Sequence, residues 1–277
     1  MPSLRSIPAL FKPLVKKFPA LTCFYRSLRD QLDARGEALQ TPWGFKLAGN
    51  PLMAKGEFEP EETALVRSLL KDAEVVVNVG ANVGYYCCHA LSLGKRVIAF
   101  EPMPRNLHYL CRNIKQNGWT EIEIFPLALS DKPGILEIYG GNTGASLVKG
   151  WCGIPEDYVT LVPSSTMDLV LGGRLAGKKV LFVVDIEGAE KWMLQGAAAM
   201  LANTPKPVWL VEITAAANQP EGVKLNQNFR DTFKLFFDQG YRAFTADAKQ
   251  RQVSAADVEA MAAGKLEIPA YNFIFKE

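Results

Sequence analysis

The sequence predicts an α/β fold. Its core is an open, mainly parallel sheet, closed by an antiparallel strand and interrupted by an inserted β-hairpin. Three observations predict this. The apolar runs Val75-Val76-Val77-Asn78-Val79 and Val97-Ile98-Ala99-Phe100 have strand length, and each is followed by helical spacing. A glycine turn, Gly80-Ala81-Asn82-Val83-Gly84, separates the first run from its helix. Between residues 134 and 170 the alternation stops, and two strand-like runs flank a Gly-rich loop.

The elements follow in order. Residues 1–55 form an N-terminal extension, and residues 56–277 the main domain. Within the extension, Leu14-Val15-Lys16-Lys17-Phe18 and Phe24-Tyr25-Arg26-Ser27-Leu28 suggest short amphipathic helices. Lys12, Lys16, Lys17, Arg26 and Arg29 suit either a solvated face or an anionic membrane surface, and the solvated face is the commoner use. Trp43-Gly44-Phe45-Lys46-Leu47 alternates like a short strand. Glu59-Pro60-Glu61-Glu62 starts a helix, with proline in the first turn and acids that complement the dipole. Phe58 and Glu59 precede it and either initiate the helix or reach the ligand.

Strands are expected over residues 74–79, 96–100, 122–128, 180–185 and 208–213. Helices are expected over residues 83–93, 105–117, 188–201 and 229–237. The inserted hairpin pairs residues 135–139 with 158–162 around a loop carrying Asn142, Thr143 and Ser146. Residues 241–244 and 271–275 make a final strand pair, and the polar stretch 214–228 suits a lid.

Composition narrows the possibilities. A chain of 277 residues buries one large core plus an extension. A net charge of +2 is too close to balance to argue for nucleic acid. The five cysteines are odd in number and contain no C-x-x-C, which indicates reduced thiols, a cytoplasmic location and no zinc site. No apolar run reaches the length of a membrane-spanning helix, and the basic N-terminus lacks the apolar core of a secretion signal.

The glycine turn and the acid that ends the next strand, Glu101-Pro102, together build a nucleoside pocket: the turn lets the ligand approach, and Glu101 holds a ribose diol. A dinucleotide fingerprint requires glycine at Asn82 and Tyr85, where this chain has side chains. That counts against a nicotinamide-dependent oxidoreductase and suits a ligand without phosphates, such as S-adenosylmethionine.

The runs Asn78-Val79-Gly80-Ala81-Asn82-Val83-Gly84-Tyr85, Phe100-Glu101-Pro102 and Val184-Asp185-Ile186-Glu187-Gly188-Ala189-Glu190 resemble the FkbM family of S-adenosylmethionine-dependent methyltransferases, over about residues 55 to 215. The resemblance implies a class I methyltransferase sheet, Rossmann-like, with an antiparallel closing strand. It implies that Asn78, Gly80, Ala81, Asn82, Gly84 and Tyr85 surround the methionine part of the cofactor. Glu101 and Pro102 would meet the ribose, and Ala128 and Leu129 the adenine. It also implies O-methylation of a sugar, polyketide or other small metabolite. The family has Asp where this chain has Asn78. A charged hydrogen bond exceeds a neutral one by roughly 1 kcal/mol, so weaker cofactor binding is expected unless Asn78 only pins the turn.

Methylating a hydroxyl requires a group that takes its proton. The two histidines, His89 and His108, both fall on crossover helices and read as structural. Asp185 ends a strand on the ligand side of the sheet, with Glu187 two residues on. These two are the expected catalytic residues, although either also suits a helix cap. Glu190 and Glu212 are further candidates, and no spacing demands a metal. The Asp185-Ile186-Glu187-Gly188 turn lacks the Pro-Pro-aromatic motif of enzymes that methylate base amines. A small-molecule or glycan acceptor is therefore expected, with a homo-oligomer open. The alternative is a non-enzymatic module that binds the cofactor or a partner.

Overall fold

The structure, a computed structural model, describes residues 37–141, 144–268 and 270–277. The expected basic N-terminal helices and loop residues Asn142 and Thr143 lie outside the described residues.

Ala38–Glu277 is one compact unit. It opens with a small ribbon, β1 (Leu39–Gln40) and β2 (Lys46–Leu47), then α1 (Pro51–Lys55) and α2 (Pro60–Leu69). The first half of the sheet follows as β3 (Val75–Val79), α3 (Tyr85–Ser92), β4 (Arg96–Phe100), α4 (Pro104–Gln116) and β5 (Ile122–Phe125). The insertion is β6 (Ala128–Leu129), β7 (Gly134–Tyr139), β8 (Val159–Ser165) and α5 (Met167–Leu171). The second half is β9 (Val180–Val184), α6 (Glu190–Gln195), α7 (Ala198–Leu201), β10 (Val208–Glu212) and α8 (Phe229–Asp238). The chain closes with β11 (Arg242–Thr245), β12 (Gln252–Val253), α9 (Ala255–Ala262) and β13 (Asn272–Lys276).

The main sheet runs β12-β11-β13-β10-β9-β3-β4-β5. Strands β5, β4, β3, β9 and β10 are parallel, and β13 lies antiparallel between β10 and β11. The expected alternating core and closing antiparallel strand are therefore both present. Every residue of β3 and β9 is buried, as continuous apolar strands require when helices cover both faces. On one face, Phe182 stacks on Trp209 at 3.8 Å and Phe236 on Phe275 at 3.8 Å. Burying one such ring stabilises the fold by roughly 1.5–3 kcal/mol.

The elements differ from expectation in three places. The third strand leaves the sheet after Phe125, because Pro126 has no N–H to donate to a ladder. Ala128 and Leu129 instead pair with β8, so the inserted hairpin becomes a three-stranded sheet, β6-β8-β7. The helix expected over residues 188–201 divides into α6 and α7. At the break, Gly196 lies so close to the Ser130 carbonyl that a Cβ would meet it at 2.2 Å. Asp168 caps the second piece, accepting from Ala199 N at 2.8 Å and Met200 N at 3.2 Å. Finally, β11 and β13 pair, yet β12 and α9 lie between them in sequence. A Ser254–Asp257 capping box starts α9.

Candidate active site

The C-terminal ends of β3, β4 and β9 open onto a cleft whose empty space, open solvent included, is about 590 Å³. The turn after β3 is bound tightly to the end of β4. Gly80 N and Ala81 N donate to the Phe100 carbonyl at 3.0 and 2.9 Å. Asn82 N donates to Glu101 Oε2 at 2.7 Å, while Glu101 Oε1 accepts from Met103 N at 2.8 Å. Glu101 is thus a buried carboxylate with a fixed direction. Burial pushes its pKa up, and the Met103, Asn82 and Asn106 donors pull against that.

The glycines of this turn serve packing. Gly80 has φ 77°, and a Cβ there would overlap the Asp185 carbonyl oxygen at 1.8 Å. Gly84 has φ 86°, and a Cβ would meet Leu110 Cδ1 on α4 at 2.5 Å. Both turn residues therefore let the β3 loop nest between β9 and α4.

Of the residues singled out from the sequence, Gly80, Asn82, Glu101, Pro102, Ala128, Leu129, Asp185 and Glu187 line the cavity together. Asn78, Ala81, Gly84 and Tyr85 are not in its lining. Asn78 is buried, donating from Nδ2 to the Val183 carbonyl at 3.2 Å and accepting from Cys87 Sγ at 3.3 Å. Its amide ties β3 to β9 and α3. Tyr85 is buried among Trp43, Phe58 and His89, with its hydroxyl 3.1 Å from Thr63 Oγ1.

The lining also includes residues that the sequence did not mark. Met103 and Asn106 begin α4, one turn beyond Glu101, and were within reach of a pattern argument. Ile138, Ala145 and Leu147 come from the insertion and form an apolar wall. No local signal reveals them, because their position depends on how the small sheet folds back over the cavity.

Beyond Asp185 the site becomes acidic. Asp185 follows β9, Glu212 ends β10, and Glu59 and Glu62 lie at the start of α2. Asp185 presents surface to the open cleft but is enclosed by protein on its other sides. That enclosure, then Glu212, Glu187, Glu62 and Glu59, push its pKa well above the usual carboxylate range. Desolvation and its acidic neighbours raise Glu212 to about 8. Burial, then Glu62 and Glu187, raises Glu59 to about 7. Glu59 sits in the left-handed region at φ 38°, a strained conformation for its residue type. Glu62 accepts from Tyr86 Oη at 2.7 Å and also from Asn272 Nδ2. Glu190 turns back to accept from Gly188 N at 2.9 Å, and burial lifts it to about 7.

The histidines stand apart. His89 is fully buried, edge-on to Trp43 at 4.4 Å between ring centroids. Its Nδ1 lies 3.0 Å from the Arg67 guanidinium, and burial with that charge pushes its pKa down to about 3. It is a neutral packing residue. His108 is exposed on α4 beside Tyr109 and also lies outside the cavity lining. Among the described residues, no group of three or more His, Cys, Asp or Glu side chains is arranged to hold a metal ion.

Residues 78–243 match the methyltransferase FkbM domain. No curated protein is similar enough to match the chain. Among solved structures, a precorrin-6y C5,15-methyltransferase from Geobacter metallireducens is 12% identical, with a TM-score of 0.45, covering 86% of this chain and 100% of that one. A SAM-dependent methyltransferase from Agrobacterium tumefaciens is 12% identical, with a TM-score of 0.42, covering 86% and 68%. Aeropyrum pernix fibrillarin, solved with natively bound S-adenosyl-L-methionine, is 13% identical, with a TM-score of 0.37, covering 74% and 67%.

Proposed function

The chain belongs to the FkbM methyltransferase family and uses S-adenosyl-L-methionine; from that premise we propose that it methylates a hydroxyl group of a sugar, polyketide or other small metabolite. The observation that carries this reading is the placement of Asp185 and Glu187 in the cavity lining just after β9, with Glu212 at the end of the neighbouring β10.

The cavity fits the cofactor. Glu101 offers a fixed carboxylate to a ribose diol, and Ala128, Leu129 and Ile138 offer apolar surface to adenine. Gly80 and Asn82 border the space for the methionine part. When bound, the cofactor supplies an activated methyl group on a sulfonium centre. The chain's own task is to orient the acceptor, exclude water and remove its proton. Asp185 and Glu187 are assigned these roles. A carboxylate whose pKa is lifted toward neutrality is a stronger base once ionised than an exposed one. His89, held neutral with Nδ1 beside Arg67, does not compete for the role.

The test is transfer of labelled methyl from S-adenosylmethionine to a panel of saccharides and hydroxylated metabolites. Asp185→Asn and Glu187→Gln are each expected to lower kcat by about 100-fold or more while the cofactor still binds, the scale of losing general-base catalysis. Full turnover in both variants, or transfer only to amines, would overturn the reading. We also assign the protein to the cytoplasm. Cys87, Cys88, Cys111 and Cys152 are free thiols, which suits a reducing compartment. Among the described residues no helix is long and apolar enough to cross a membrane.

A further inference from the structure

Glu187 is held by contacts outside the core sheet. It lies on the loop between β9 and α6, at φ 54° in the left-handed region. Among the described residues, no hydrogen bond from the parallel sheet reaches its side chain. The insertion holds it instead, at both ends. Trp151 Nε1 donates to Glu187 Oε2 at 2.7 Å, and Ser146 Oγ donates to the Glu187 carbonyl at 2.5 Å. Trp151 is itself buried, 2% exposed. Its ring lies against Gly188, where a Cβ would meet the indole at 2.6 Å. The segment carrying both donors is anchored in turn. Ala145 and Leu147 line the cofactor cavity, and Cys152 N donates to the Asn218 carbonyl at 2.7 Å in the following loop.

We propose that Trp151 is a positioning residue for Glu187: the inserted segment, through the indole N–H, fixes the carboxylate that faces the acceptor end of the cavity. This rests on the reading that Glu187 serves the reacting end. The N–H bond favours the ionised carboxylate and so offsets the upward pull of burial on Glu187. Asp185, Glu59, Glu190 and Glu212 are the carboxylates that interact with it electrostatically. Each of the four acts on its charge, so the comparison must be between variants that leave all four in place.

Trp151→Phe keeps most of the ring and removes the donor. In full-length protein labelled at glutamate Cδ, the Glu187 resonance, assigned with Glu187→Gln, is followed against pH with S-adenosylhomocysteine present. Its inflection is expected to move to higher pH in Trp151→Phe, by half a unit or more, while the S-adenosylhomocysteine Kd changes less than threefold. An unmoved inflection, or a tenfold loss of affinity without a shift, would mean that the indole only fills the cavity wall, and would overturn the proposal. Should Trp151→Phe fail to fold, the wild-type indole Nε1–H resonance of Trp151 decides. It is expected to titrate with Glu187 and to lose that inflection in Glu187→Gln; a pH-independent signal overturns the proposal. Whether Glu187 then takes part in methyl transfer is read separately, from turnover of Glu187→Gln. Full turnover in that variant alongside a shifted inflection would sink the catalytic role and leave the positioning contact standing.

Discussion

Glu101 shows how one side chain organises the cavity at the end of the sheet. Its two oxygens accept from Asn82 N, Met103 N and Asn106 Nδ2, which joins the β3 turn to the start of α4. Glu101→Gln retains the shape but loses the charge and one acceptor. It is expected to weaken S-adenosylhomocysteine binding about 10- to 150-fold, the equivalent of ~1.5–3 kcal/mol for hydrogen bonds to a charged group. Calorimetric titration, with circular dichroism to show that the variant is folded, checks this. Asn78 is the contrasting case. Its amide is spent on Val183 and Cys87, a use that supports turn-pinning over direct contact with the cofactor.

At the scale of elements, the site depends on two segments outside the alternating core. The ribbon and α1, residues 38–55, are tied to the turn and to α4 by Asn113. That side chain accepts from Ala48 N at 2.8 Å and donates to the Ala48 and Val83 carbonyls at 3.0 and 2.8 Å. It is fully buried, so its loss leaves three backbone groups without a partner. Asn113→Ala is expected to cost about 2–4 kcal/mol of stability, since each orphaned buried group costs ~1–3 kcal/mol and relaxation recovers part. Urea unfolding of the full chain measures it. The insertion is the second segment. Its strands were legible from their alternation, as was their antiparallel pairing. Its role as a wall of the cavity was not, because Ile138 and Leu147 reach the site only through the packing of the small sheet.

Across the whole molecule, acids gather at one end of the sheet. Glu59 at about 7, Glu190 at about 7 and Glu212 at about 8 all lie above their unfolded value of 4.5. The sign follows by linkage: the folded state binds more protons than the unfolded state between those values. Their contribution to stability is fully present below about pH 4.5 and is lost as pH rises through about 7 to 8. The urea midpoint is therefore expected to fall between pH 5 and pH 8. Substituting Glu212→Gln should flatten that slope, and an unchanged slope would count against the electrostatic account. The same charge should favour S-adenosylmethionine, cationic at sulfur, over neutral S-adenosylhomocysteine increasingly from pH 6 to pH 8, as paired calorimetric titrations would show.

The sequence by itself determined the alternation of strands and helices, the glycine turn, the acid at Glu101 and the family to which these belong. Such features are local: burial on both faces demands continuous apolar strands, and a turn with positive φ demands glycine. Tertiary structure alone decided what those residues touch. Gly80 clears space for the Asp185 carbonyl. Pro126 sends the chain out of the main sheet and into the insertion. Glu59 and Glu62 meet Asp185 and Glu212 although the three segments lie far apart in the chain, and Trp151 reaches Glu187 from the insertion. These contacts are set by packing between distant segments, which local spacing does not encode.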